Sequence, residues 1–177
     1  MWLAMVSLAL VTLGAKAQDV AGGRDHALIS RYSGSLLNSQ RIEEYAELEI
    51  ARAEKPAPSA AHRFGVPVGG KLTATHYLAP AKRTPLEIFR NYEKALAAGG
   101  FTPLFACEPA ACADRRINGQ GGLAGEVIAR RFADGATAMT VPTSEWTDNP
   151  SYFLSAQLKR AAGDAYVLLW VTPGYAG

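Results

Sequence analysis

The sequence predicts an α+β fold: a single domain with an antiparallel-rich sheet, a β-α-β unit and one principal amphipathic helix. Two local patterns predict it, a well-delimited helix between two strand-like segments and an alternating hairpin near the C-terminus. The 177 residues show no second apolar core. Hydrophobic residues make up 49% and charged residues 19%, which supports a packed core and excludes a disordered chain.

Residues 1–17 are predicted to be a cleaved signal peptide, and residues 18–177 the mature domain. The apolar stretch is about twelve residues long, shorter than the roughly 20 needed to cross a bilayer. It ends in Ala15-Lys-Ala17, the small-x-small pattern that signal peptidase accepts. No charged n-region precedes it, so a buried N-terminal helix and an uncleaved anchor stay open as alternatives. The predicted compartment is the periplasm or the periphery of the outer membrane, with no transmembrane span in the mature chain.

The first part of the mature chain is predicted to be irregular and then strand-like. Residues 18–40 are rich in Gly, Ser and Asp, which predicts an irregular segment held by a few apolar side chains. In residues 42–50 the apolar side chains fit both a helical and an alternating spacing, and flanking turn signals favour a strand. Residues 54–61, rich in Pro and Ala, predict a surface loop.

The β-α-β unit begins with a strand over residues 71–78, whose inward row is predicted to be Leu72, Ala74, His76 and Leu78. Thr84, Pro85 and Glu87 then predict a helix start with a capping box, and Gly99-Gly100 predicts its end. The predicted buried face of this helix consists of Leu86, Phe89 and Leu96, with Tyr92 beside them. Residues 101–106 predict the next strand.

The C-terminal part predicts an antiparallel hairpin. Its strands are residues 152–159 and 166–171, with Gly163-Asp164 at the turn. The inward row of the first strand is predicted to be Tyr152, Leu154, Ala156 and Leu158. Residues 123–132 fit neither a helix nor a strand cleanly, and both readings stay open.

The two cysteines, Cys107 and Cys112, are predicted to form a structural disulfide in the oxidising compartment outside the cytoplasm. A redox-active pair would favour the C-x-x-C spacing, and a zinc site would need two more ligands than the neighbouring sequence offers. Two free thiols stay open if the chain is not exported. No metal site is predicted.

No cofactor is predicted. Gly119-x-Gly121-x-x-Ala124, with Glu145 downstream, fits a relaxed dinucleotide-binding fingerprint. That fingerprint requires a buried strand immediately before the glycines, and the polar residues 114–118 predict none. A flexible glycine loop is the favoured interpretation.

No catalytic residue is predicted, because no nucleophile motif accompanies the histidines. The alternative is a small exported hydrolase whose site is assembled from the sequence-distant residues Asp25, His26 and His76. The structural interpretation makes His62 a solvated side chain and His76 a hydrogen-bonded interior one.

Two arginine pairs and one tryptophan are the candidate ligand or partner contacts: Arg115, Arg116, Arg130, Arg131 and Trp146. Arginine forks suit phosphates or peptidoglycan carboxylates, and an indole in a polar turn suits a contact surface. Solvated arginines and a tryptophan folded over the core edge are the structural alternatives. The formal net charge is +2, and the basic residues form no stripe along the sequence, which excludes a typical nucleic-acid-binding protein.

The motifs, taken in order, resemble a family. They are residues 23–35, residues 85–96 with Gly100-Phe101, the cysteine loop, residues 152–158 and residues 163–171. The chain resembles an exported Gram-negative domain of unknown function that is often found N-terminal to an OmpA-like peptidoglycan-binding domain. The resemblance implies an envelope location and supplies no catalytic residues. Because the chain stops at Gly177, peptidoglycan binding through an OmpA-like part is not carried over. We therefore expect a non-catalytic envelope domain that binds a protein, lipid or cell-wall component.

Overall fold

A computed structural model describes residues 18–51, 65–109 and 152–173, and every structural statement below concerns those residues. The elements in order are β1 (Leu36–Ala51), β2 (Gly65–Leu78), α1 (Pro85–Ala98), β3 (Thr102–Cys107), β4 (Tyr152–Leu158) and β5 (Ala165–Val171). β1 and β2 form a two-stranded antiparallel ribbon, and the other strands form an antiparallel sheet in the order β3-β4-β5. The predicted α+β class, with antiparallel strands and one principal helix, is confirmed.

Helix α1 begins and ends where its sequence signals predict. The Thr84 hydroxyl accepts a hydrogen bond from the backbone N–H of Glu87, and Pro85 occupies the first helical position. The Glu87 carboxylate accepts hydrogen bonds from Tyr32 and Arg83, so this part of the predicted capping box takes other partners. Gly100, at φ +82°, ends the helix in the left-handed region that glycine tolerates.

The buried face of α1 differs from the predicted one by a single exchange. Phe89, Tyr92 and Leu96 are buried as predicted, but Ile88 is the fourth buried residue and Leu86 is exposed. The prediction for Leu86 was wrong because, at 3.6 residues per turn, Leu86 lies about 100° from the centre of the face that the four buried residues form. The four buried side chains join Phe101, Leu154, Ala156 and Val171 in one core cluster.

The C-terminal hairpin forms with the predicted alternation. Leu158 pairs with Ala165 and Tyr152 with Val171, and Gly163 in the turn has φ +104°. The predicted inward row of β4 packs toward the α1 cluster. The opposite face of β4 is buried as well, since Phe153 and Ser155 are fully inaccessible to solvent. The sequence predicted only one buried face for this strand.

The β-α-β order is β2, α1, β3, and the two flanking strands lie in different sheets.

β1 has one extra residue at each of two register shifts relative to β2, between Leu37 and Ser39 and between Glu43 and Ala46. The prediction of an irregular segment up to residue 40 was wrong in its last part, because β1 already begins at Leu36. Leu78, predicted to face inward, is exposed at the end of β2.

Several predictions fall on residues outside the described ranges. They are the signal peptide (1–17), the loop at 54–61, the glycine motif and residues 123–132. Within the described ranges no helix is long and apolar enough to cross a bilayer.

Candidate functional site

All five sequence-predicted contact residues and one of the two cysteines lie outside the described part of the chain. This holds for Arg115, Arg116, Arg130, Arg131, Trp146 and Cys112. Cys107 is buried at the end of β3, and the described residues include no free thiol. The pairing of Cys107 with Cys112 stays a prediction.

Each residue of the alternative hydrolase site hydrogen-bonds to a group outside that site. Asp25 accepts hydrogen bonds from the Arg31 guanidinium at 2.9 and 3.0 Å and from the Tyr77 hydroxyl at 2.7 Å. His26 is exposed, and its Nδ1 accepts a hydrogen bond from the backbone N–H of Leu28. Residues 18–51, 65–109 and 152–173 contain no group of three or more His, Cys, Asp or Glu side chains that suits a metal ion.

His76 on β2 is held as a neutral structural histidine. Its Nδ1 lies 3.0 Å from the side-chain amide nitrogen of Asn38 on β1. An amide nitrogen can only donate, so Nδ1 accepts and the ring proton of the neutral form sits on Nε2. Burial lowers the pKa of His76. The expectation of a hydrogen-bonded histidine is therefore confirmed, in a half-buried position.

One group of charged side chains lies where the N-terminal segment meets the ribbon. Arg31 Nη1 donates to both carboxylate oxygens of Asp19 at 2.7 Å, while its Nε donates to Asp25. The Arg31 guanidinium carbon also lies 5.4 Å from the centre of the Tyr77 ring. Two carboxylates thus neutralise one guanidinium, so Arg31 is already engaged and does not offer an anion site.

The tyrosine in this group acts as a hydrogen-bond donor. Burial raises the pKa of Tyr77 most, and the hydrogen bond from Tyr77 to Asp25 raises it further. The Tyr77 hydroxyl therefore keeps its proton and donates a hydrogen bond to the Asp25 carboxylate. A raised pKa makes the Tyr77 hydroxyl poorly suited to act as a nucleophile, so the group serves to connect the N-terminal segment with β2.

Residues 18–25, named here the strap, lie beside the first residues of β1. The Val20 N–H donates to the Leu37 carbonyl at 2.8 Å, and the Leu37 N–H donates to the Asp19 carboxylate at 2.8 Å. The side-chain amide of Gln40 donates to the backbone carbonyl of Arg24 and accepts from its N–H. The strap therefore occupies the outer edge of β1 at Leu37, a residue that is fully buried.

Further along the ribbon, one face carries exposed apolar side chains. The register places Leu37, Gln40 and Ile42 on one face, opposite Tyr77, Thr75 and Thr73. Ile42 is 44% exposed and Tyr45 66% exposed. Tyr45 lies across Gly69 of β2, where a Cβ atom would come within 2.7 Å of the Tyr45 hydroxyl. Ile42 and Tyr45 are named here the ribbon patch. On the other face Ser39, Ala46 and Ile50 are buried.

Sequence reasoning missed both the strap connection and the ribbon patch. Arg31 and Asp19 are 12 residues apart, and Tyr77 is 52 residues from Asp25, so no local spacing links them. One local signal for the exposure of Tyr45 was available, since acidic residues stand on both sides of it at Glu44 and Glu47. No protein-family model matches the chain, and a search of curated proteins finds no match. The family resemblance stays a prediction.

Proposed function

We propose that this chain is a non-catalytic module of the cell envelope that binds a protein partner through the ribbon patch. The predicted signal peptide supports the compartment, and the family resemblance agrees with it. The proposed contact lies on the β1–β2 ribbon and not at the arginine pairs that the sequence analysis named as candidates.

One observation carries the proposal: two large side chains, Ile42 and Tyr45, are exposed on the same face of the ribbon, while Ser39, Ala46 and Ile50 on the opposite face are buried. Ile42 and Tyr45 project from β1, while Ala46 and Ile50 fill the buried face of the same strand. Single exposed apolar residues are ordinary, but neighbouring ones on a sheet face indicate a contact surface. Tyrosine is also enriched at protein interfaces, because its ring buries apolar area while its hydroxyl stays hydrogen-bonded.

The polar contacts support the non-catalytic part of the proposal. Asp25 is engaged by Arg31 and Tyr77, so its carboxylate is not placed as a partner for His26. The amide of Asn38 occupies Nδ1 of His76. A hydrolase assembled from these three residues would need a histidine oriented by a carboxylate, and the contacts of Asp25 favour a structural role instead.

Site-specific photo-crosslinking in the cell tests the proposal. A photoreactive amino acid replaces Ile42 or Tyr45 on the ribbon patch, Arg115 or Arg116 of the first arginine pair, or Lys94 on the exposed side of α1 as the control. We expect one protein partner to be crosslinked from positions 42 and 45 and not from position 94. Crosslinks from position 115 or 116 without any from 42 or 45 would move the contact to the arginine pairs and contradict the ribbon.

The compartment is tested by the intact mass of the protein recovered from the periplasm. Cleavage after Ala17 leaves a chain that begins at Gln18, and this is the mass we expect. A periplasmic species that retains residues 1–17, or a chain confined to the cytoplasm, would contradict the envelope assignment.

A further inference from the structure

The strap covers the outer edge of β1 at Leu37 but forms few main-chain hydrogen bonds with it. Between strap and ribbon the described residues form one backbone–backbone hydrogen bond, from Val20 to Leu37. The other backbone group of Leu37, its N–H, is satisfied by the Asp19 carboxylate, which takes the place that a strand carbonyl would fill. Gln40 similarly pairs its side-chain amide with the backbone of Arg24.

The segment after the strap is fixed in a different way. Ile29 and Tyr32 pack against the α1 core cluster. The Tyr32 N–H donates to the hydroxyl of the buried Tyr92, and the Tyr32 hydroxyl donates to Glu87. This end of the N-terminal segment is therefore held by the core, whereas the strap is held by polar side chains at the surface.

The ion pairs that hold the strap are accessible to solvent. The Arg31 side chain is 20% exposed, Asp19 37% and Asp25 36%. Exposed ion pairs contribute little and are screened by salt. Segments with few buried apolar contacts and exposed hydrogen bonds open locally, at much lower free energy than the core. The hydrogen bonds of the strap are exposed and Val20 is 37% exposed. The apolar contact that opening gives up is the one at the buried Leu37 side chain, which lies beside Gly23.

We propose that the strap is a displaceable cover: it opens while the α1 core stays folded, and an extended strand of the partner protein replaces it on the β1 edge at Leu37. The identity of the occupant rests on the proposed function, whereas the opening does not. Once the strap leaves, Leu37 presents an N–H and a carbonyl on the same side of the strand, which is the pattern that an added strand pairs with.

The ribbon patch indicates the chemistry of the incoming strand. Ile42 lies on the same face of β1 as Leu37, with Tyr45 beyond it. A strand added along this edge would place alternate side chains on that face. Apolar side chains at those alternate positions would cover Leu37 again and contact Ile42, so we assign the partner segment an alternating apolar sequence. The Tyr45 ring lies over Gly69 of β2, away from this edge.

Amide hydrogen exchange of the complete mature chain, followed by NMR, tests the opening. We expect the amides of Val20 and Leu37 to exchange at least about tenfold faster than that of Phe101, which is bonded within the core. Raising NaCl from about 0.02 M to about 0.5 M should accelerate Val20 and Leu37 further and leave Phe101 unchanged.

The variant Arg31→Gln should reproduce the effect of salt. The matched control is Arg83→Gln, which removes an ion pair to Glu87 on α1 and leaves the strap intact. Strap amides that exchange as slowly as Phe101 under all these conditions would overturn the proposal. An Arg83→Gln variant that accelerates Leu37 as much as Arg31→Gln would overturn it too, and the salt series on the unmodified chain remains decisive if Arg31→Gln does not fold.

The photo-crosslinking strain tests the occupant separately. We expect Arg31→Gln to raise the yield of the crosslink from position 42 several-fold, and Arg83→Gln to leave it unchanged. An unchanged yield together with a faster Leu37 exchange would refute strand replacement while keeping the opening. If no crosslink forms from position 42 in any background, the proposed function and strand replacement both fail, and the exchange data still decide the opening.

Discussion

The rotational setting of α1 can be tested by truncating two leucines of the same helix. Leu96 is 5% exposed and belongs to the core cluster, while Leu86 is 42% exposed in the first turn. The sequence pattern placed both on the buried face. Leu96→Ala and Leu86→Ala remove identical atoms, so any difference in the free energy of unfolding reports the burial of the two sites.

The expected magnitudes follow from burial. Three carbon atoms at about 0.8 kcal/mol each give a transfer loss of about 2.4 kcal/mol for a fully buried leucine. A residual cavity against Phe101 and the sheet adds to this, so we expect Leu96→Ala to cost about 2–4 kcal/mol. Leu86→Ala loses roughly half of the transfer term and leaves no cavity, and alanine is a slightly better helix former, so its cost should be about 1 kcal/mol.

Urea unfolding followed by circular dichroism measures both values by linear extrapolation. Lys94→Ala, on the exposed side of α1, is the control and should change the free energy of unfolding by less than about 0.5 kcal/mol. Equal losses for Leu86→Ala and Leu96→Ala would refute the observed setting of the helix. A loss for Lys94→Ala as large as that for Leu96→Ala would refute the burial pattern altogether.

Three further predictions concern the strap, the cysteines and the helix end. Hydrogen bonds from the Leu37 N–H and, second, from Arg31 lower the pKa of Asp19, so the Asp19 carboxylate contributes to strap closure above the ordinary pKa of 3.8 and loses that contribution as the pH falls through the lowered pKa. The amide exchange of Leu37, corrected for intrinsic rates, should accelerate in that pH range. An exchange rate that does not change there would contradict this prediction. Thiol labelling of periplasmic protein under denaturing, non-reducing conditions should find no reactive cysteine, and two labelled thiols would exclude the bond between Cys107 and Cys112. Gly100→Ala, at φ +82°, should cost about 1–2 kcal/mol. Gly70→Ala, where a Cβ meets nothing within 4 Å, should stay within about 0.5 kcal/mol in the same urea melts, and equal costs would argue against backbone strain at residue 100.

Elements with local signals were predictable. A hydroxyl at Thr84, proline in the first turn and two glycines after the last turn specify where α1 begins and ends, because each satisfies or terminates backbone hydrogen bonding within a few residues. The β4–β5 hairpin was predictable for the same reason, since Gly163 supplies the positive φ that its turn requires.

The burial of individual faces was less predictable. Periodicity gives an apolar stripe for α1 but not the direction from which the sheet packs on the helix, and that direction decided between Leu86 and Ile88. On β4 the alternation identified the row that faces α1. It gave no warning that Phe153 and Ser155 on the opposite face are also fully buried, because a second buried face depends on what packs there.

The amino-acid sequence by itself determined the local elements of this protein: the helix with its ends, the hairpin turn and the strand alternation, all of which depend on interactions between residues a few positions apart. The tertiary structure alone decided that Asp19, Asp25 and Tyr77 meet at Arg31, and that Ile42 and Tyr45 remain exposed while Ile50 is buried. The physical reason is the range of the interactions. These ion pairs, hydrogen bonds and cross-strand contacts join residues that the chain separates by 6 to 52 positions. The cross-strand contacts depend on the β1–β2 register and its two bulges, which carry no periodic signature.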